Sequence, residues 1–158
     1  MGRTSTTTTV IPRDSNGDEA PASAGDAAFG ENCRGVVTLA IGTYYVPLAS
    51  SGSVIHATVQ GDATIAITSA TVEECGLSES EAPWHSNTTG QWFATDAGLI
   101  ISAKEGSGWT NTSDVGANSA GNAGGVAWTI FDAAAPRYRL IVVVGTGGQA
   151  RFTTSSKD

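Results

Sequence analysis

Surface chemistry needs a nucleophile beside a base, paired carboxylates, or metal ligands gathered at fixed spacing, and this chain is sparing with all three. His56 and His85 are its two histidines, and neither has a second His, Cys or carboxylate at a metal-ligand interval. Serines are plentiful, yet no Gly-x-Ser-x-Gly elbow marks one as a nucleophile. Gly145-Thr-Gly-Gly148 lacks the lysine and helix of a phosphate loop and reads as a turn. Asp14-Ser-Asn-Gly-Asp18 opens like a calcium loop, but Glu19 and Gly25 stand where such a loop needs glycine and glutamate, so a solvated turn is expected. Glu73, Glu74, Glu79 and Glu81 could supply the acid and base of a glycosidase, with a solvated acidic loop as the plainer reading. No catalytic, cofactor or metal site is therefore expected, and the chain is not read as an enzyme.

The four tryptophans carry more weight. Trp84, Trp92, Trp109 and Trp128 lie in or beside two irregular stretches, 73–91 and 105–125. Exposed indoles form sugar-stacking platforms or interface anchors; buried ones serve as lids beneath long loops. Asn87-Thr-Thr and Asn111-Thr-Ser match the glycosylation tripeptide, which without a signal peptide reads as accidental. Cys33 and Cys75 allow one disulfide if their Cα atoms come within about 7 Å, and otherwise read as two small buried thiols.

The elements that must position these residues are strands. Twenty glycines, five prolines and one methionine among 158 residues, with many Thr, Val and Ala, disfavour a helix bundle. Residues 1–34 show almost no apolar period and read as an extended or flexible arm; 35–158 read as one domain. Strand signals fall at 36–41, 43–46, 53–60, 63–72, 92–95, 99–103 and 126–131. The spacing predicts a hairpin with its tip at Gln60-Gly61-Asp62-Ala63 and a second one over Arg137–Thr154. In the first arm of the latter, Tyr138, Leu140, Val142 and Val144 share one face, and Arg137, Arg139, Ile141 and Val143 share the other. The expected fold is an all-β sandwich or jelly roll of about seven or eight strands.

A net charge of −7 repels a phosphate backbone, and no apolar run approaches the ~20 residues of a membrane span, so nucleic acid and membrane are not expected partners. The polar Thr4–Thr9 tract is not a secretory signal. That Thr-rich start, the segment His56-Ala-Thr-Val-Gln-Gly-Asp-Ala-Thr-Ile-Ala-Ile-Thr with Val72-Glu73 after it, the Gly/Asn/Ser loop before a Trp strand, and the ending Arg137-Tyr-Arg-Leu-Ile-Val-Val-Val-Gly-Thr-Gly-Gly with Ser155-Ser-Lys-Asp158 form one pattern. It resembles the small all-β auxiliary virion proteins of tailed bacteriophages, head-decoration proteins among them. The resemblance covers residues 35–158 and carries no catalytic motif; the two cysteines and the long Trp-bearing loops depart from it.

The resemblance implies a non-enzymatic capsid decoration protein, made in the host cytoplasm and carried on the virion, forming a homo-oligomer and binding the major capsid protein or other virion proteins. The alternative is a carbohydrate-binding or adhesin-like module, in the tail, fibre or neck, with Trp84 and Trp109 stacking sugars. Trp84, Trp109, Arg137, Arg139, Ile141 and Val143 are the candidate interface residues. Ile141 and Val143 lie opposite the core-facing row, where a long loop or another subunit would have to cover them.

Overall fold

Alternation buries one face of a strand, most regularly in 54–61, and in this chain two sets of such faces meet. The computed structural model describes residues 6–23, 35–48, 52–62, 64–95, 98–105 and 124–157. Ten strands run through them: β1 (Thr6–Val10), β2 (Val37–Leu39), β3 (Gly42–Pro47), β4 (Val54–Gly61), β5 (Ala66–Cys75), β6 (Phe93–Ala94), β7 (Gly98–Glu105), β8 (Gly124–Phe131), β9 (Arg137–Thr146) and β10 (Gly148–Lys157). Among the described residues there is no helix, and none long and apolar enough to cross a membrane. One antiparallel sheet has six strands in the order β1-β10-β4-β8-β7, with β2 sharing the β1 edge of β10; the other has four in the order β3-β9-β5-β6. The chain is an all-β protein of sandwich architecture.

The core lies between the sheets. Ile55, Ala57 and Val59 of β4, Phe152 of β10 and Trp128 and Ile130 of β8 face Tyr138, Leu140, Val142 and Val144 of β9 and Ala70 and Val72 of β5. Each fully buried Val, Leu or Ile of this set contributes on the order of 1.5–3 kcal/mol. The chain entering β5 reaches the core in two phases, Ile65, just before the strand, and Ile67 first and Ala70 and Val72 later, because an irregularity between Ile67 and Ser69 shifts the register and leaves Thr68 exposed.

Neither expected hairpin forms. β4 pairs with β10 and β8, while β5 pairs with β9 and β6. β9 pairs with β3 and β5, while β10 pairs with β1, β2 and β4. Each glycine-bearing break is thus an arch that carries the chain from one sheet to the other. Every strand involved has an apolar face that needs a cover, and sending the next strand to the opposite sheet sets two such faces against each other where a hairpin leaves both on one side. A third arch, β2 to β3, lies at the same end, since Leu39 is opposite Gly148 and Gly42 opposite Val144.

Asp62 ties two of these arches together. Its Oδ1 accepts from the backbone of Thr64 (2.9 Å) and Ile65 (2.9 Å) and from the Thr64 hydroxyl (2.9 Å), and its Oδ2 accepts from the backbone of Gln149 (3.0 Å). Burial alone would raise its pKa, but these donors outweigh it and hold the carboxyl below its ordinary value. Gly148 sits where a Cβ would lie 2.8 Å from Asp62 Oδ1 and 2.7 Å from the Ile65 nitrogen, so the closeness of the arches requires glycine. Two further crossings, β2 to β3 and β8 to β9, are pinned by tyrosines: the Tyr44 hydroxyl accepts from the Ala40 backbone (3.0 Å), and the Tyr138 hydroxyl from Ala134 (3.0 Å) and Ala135 (3.1 Å).

The described part of the N-terminal arm belongs to the sheets. β1 pairs with β10 from Thr6↔Ser156 to Val10↔Phe152, Arg13 exchanges backbone bonds with Tyr45 on the edge of β3 (2.9 and 2.8 Å), and Ala22 bridges Val37. The arm crosses from the edge of one sheet to the edge of the other, and the first strand of the sandwich is Thr6–Val10 rather than one after residue 34. The Asp14 carboxylate accepts from Asn16 and Asp18 within a turn.

Candidate functional site

At the end of the sandwich opposite the arches, the outer face of the four-stranded sheet gathers charge and aromatic rings. Period-two alternation places Arg137, Arg139, Ile141 and Val143 of β9 on this face. Register then sets Arg139 between Pro47 and Glu73, and Arg137 beside Cys75. Both arginines are buried, at 9% and 2% exposure. They are covered by the 76–92 loop, which leaves the end of β5 and lies back across the sheet.

A buried guanidinium needs its donors satisfied and its charge balanced. Arg139 has both. Its Nε and Nη2 donate to Glu73 Oε1 (3.0 and 2.6 Å), its Nη1 donates to the carbonyls of Trp84 (2.9 Å) and Ser86 (2.7 Å), and its plane lies 4.3 Å from the Trp92 ring centre and 4.8 Å from that of Tyr45. Arg137 has no carboxylate partner among the described residues. Its Nη1 donates to the carbonyls of Leu77 (3.1 Å) and Ala82 (2.7 Å), while its charge rests between Trp84 at 4.2 Å and Trp92 at 4.9 Å. Its Nε and Nη2 find no hydrogen-bond partner, so the electron-rich indole faces bear most of the balance. The two indoles contact each other at 5.6 Å, and the Trp92 Nε1 donates to the Pro83 carbonyl (3.3 Å).

The rest of the loop is fastened beside them. Asn87 and the Tyr45 hydroxyl exchange hydrogen bonds (2.7 and 3.0 Å), and the His85 ring lies against Gly17 of the Asp14–Asp18 turn, 2.7 Å from where a Cβ would be. Arm, β3 edge and loop therefore meet over the arginines. Between the loop and β6 a cleft of about 300 Å³ opens, with Glu73 and Arg139 at its base and Thr88, Thr89 and Phe93 along its walls.

Of the residues singled out from sequence, Trp84, Arg137 and Arg139 come together here, as contacts within the chain: Trp84 is half-buried, with the Arg137 guanidinium 4.2 Å from its ring centre. Trp92 and Trp128 are buried, and Trp109 and Cys33 lie outside the described residues. Ile141 and Val143 are half-buried, next along the same face, between Tyr45 and Thr43 of β3 and Thr71 and Ser69 of β5. Cys75 is a buried free thiol that accepts from the Leu77 backbone (3.3 Å). Glu73 is bound by Arg139, while Glu79 and Glu81 are exposed on the loop. His56 bonds Thr129 across the outer face of the larger sheet (2.9 Å). Among the described residues no three His, Cys, Asp or Glu side chains gather as metal ligands would. Tyr45, Trp92 and Asn87 complete the site without having been expected there; the cross-strand pair Glu73↔Arg139 would have pointed to it once β5 and β9 were known to be neighbours.

No protein-family model, no curated protein and no solved structure matches the chain.

Proposed function

We propose that this chain is a non-enzymatic structural protein of the virion: a capsid decoration or auxiliary head protein that forms a homo-oligomer and binds the lattice of the major capsid protein. One observation carries the reading. The densest cluster of charge and aromatic rings among the described residues is spent on the chain's own backbone and side chains, with Arg139 alone joined to Glu73, Trp84 and Ser86. Such a cluster stiffens a body rather than turning over a substrate. The arm crossing from sheet to sheet adds a second brace, and the resemblance of the sequence pattern to that of decoration proteins supplies the setting.

The contact surface in this reading is the row just beyond the clamp, Ile141 and Val143, which is apolar on a face that is otherwise polar or capped. Light scattering on the purified protein and co-sedimentation with capsids test it together. Symmetric oligomers and sedimentation with the particle are expected; a monomer that stays in the supernatant overturns the reading.

A further inference from the structure

The cleft beside the clamp is a built site whose remaining groups suit one kind of ligand. Its floor cannot shift easily, because Arg139 is held by Glu73, Trp84 and Ser86 and stacked on Trp92. One wall is the turn Thr88–Gln91, closed by the Gln91 backbone donating to the Thr88 carbonyl (3.3 Å), with Gly90 at φ 88, where glycine is favoured at the third position. The other wall is Phe93, 57% exposed and the most open aromatic ring among the described residues.

Both Arg139 contacts end on Glu73 Oε1, which leaves Oε2 as an acceptor at the edge of a side chain that is 25% exposed. The exposed hydroxyls of Thr88 and Thr89 can donate or accept. The charges at the base cancel, so an anion would meet the Glu73 carboxylate and a cation the Arg139 guanidinium. What remains is a ligand with hydroxyls to donate to a carboxylate, oxygens to accept from threonines, and an apolar C–H face to lie on a phenyl ring. We propose that this cleft binds a single neutral pyranose of a glycan, with Phe93 as the platform, Glu73 Oε2 accepting from ring hydroxyls, and Thr88 and Thr89 completing the contacts.

The volume, about 300 Å³, is at the lower end for ligand sites and fits one ring rather than a chain of them. A site of that size, open to water, holds a monosaccharide with Kd on the order of 1 mM. The proposal is independent of capsid binding, since a protein that never touches a particle can still fill this cleft.

The test is NMR titration of the full chain with methyl α-glucoside, methyl α-mannoside and N-acetylglucosamine, beside the anionic glucuronate and N-acetylneuraminate. Expected are saturable shifts at the amides of Thr88, Thr89 and Gly90 with at least one neutral sugar, and at least a tenfold loss of affinity in Phe93→Ala. Because Phe93 is exposed, that variant keeps its fold, which an unchanged spectrum elsewhere verifies; Thr89→Val, expected to weaken binding several-fold, reads the polar contacts separately. No shift with any neutral sugar at ten times the expected Kd, binding of the anionic sugars alone, or unchanged affinity in Phe93→Ala would each overturn the proposal.

Discussion

The two ends of the sandwich solve the same problem with opposite chemistry. At the arch end a single buried carboxylate, Asp62, gathers backbone N–H groups from two crossings, and a glycine lets them approach. At the clamp end two buried guanidiniums gather backbone carbonyls from one long loop, and indoles take the place of further carboxylates. A lone carboxylate suffices where the orphaned groups are donors, and arginines are required where they are acceptors. The ends also differ in what depends on them. Asp62 holds strands whose apolar faces are already core, whereas Arg137 and Arg139 hold a loop whose other described fastenings are a small apolar cluster, Ala82 and Trp92 on Cys75, and polar contacts such as Asn87 to Tyr45.

The largest expected effect is at the clamp. Arg139→Ala strands Glu73 and two carbonyls in a buried site and is expected to cost about 3–4 kcal/mol in urea unfolding. A loss under about 1 kcal/mol would mean that solvent already reaches the pair. Asp62→Asn keeps one acceptor but sets an NH₂ group against the Gln149 N–H, and about 2 kcal/mol is expected. The sign of its pH dependence follows from the lowered pKa. Stability contributed by Asp62 is full above the ordinary carboxyl value of 3.8 and is lost as pH falls through the lower folded value. Acid unfolding of the parent should therefore be steeper below about pH 4 than that of Asp62→Asn, and parallel curves would remove the carboxylate from the arch.

Gly148→Ala drives a methyl group into the Ile65 nitrogen and Asp62 Oδ1, for an expected loss of about 1.5 kcal/mol that should shrink in an Asp62→Asn background. Trp84→Leu removes one of the two rings under Arg137 while keeping an apolar cover, at about 1 kcal/mol. Smallest in stability is Val143→Lys, half-buried on the outer face, at about 0.5 kcal/mol. If the Ile141–Val143 row is the contact surface, this variant loses oligomers in light scattering while its unfolding midpoint barely moves; equal loss of both would make the row plain core.

How much of this was legible before the structure differs between the ends. The alternation of β9 revealed its inward row, Tyr138 to Val144, because period two follows from strand geometry alone. The breaks at Gly61-Asp62 and Gly145–Gly148 are equally plain, yet in the sequence both read as hairpin tips. A glycine-rich break shows that the chain turns, and it carries no mark of whether the next strand pairs beside the last one or crosses to the other sheet. Asp62 looked like an ordinary turn residue because its partner Gln149 is 87 positions away. At the clamp, Arg137, Arg139 and Trp84 stood out by type, but their mutual contact depends on the β5–β9 register and on a loop with no period to read. They therefore looked like surface for a second molecule, while the chain itself fills that surface.

Native-state hydrogen exchange on the parent and on Arg139→Ala tests most directly whether the ends are held separately. The amides to follow are Ala82, Ser86 and Gln91 in the loop, bonded to the carbonyls of Ser78, Pro83 and Thr88, and Ile65 and Gln149, bonded to Asp62. With independent ends, the loop amides lose protection by more than tenfold beyond the global change while Ile65 and Gln149 follow global stability alone. Equal loss at both ends, or loop amides that keep their protection without Arg139, would contradict the clamp.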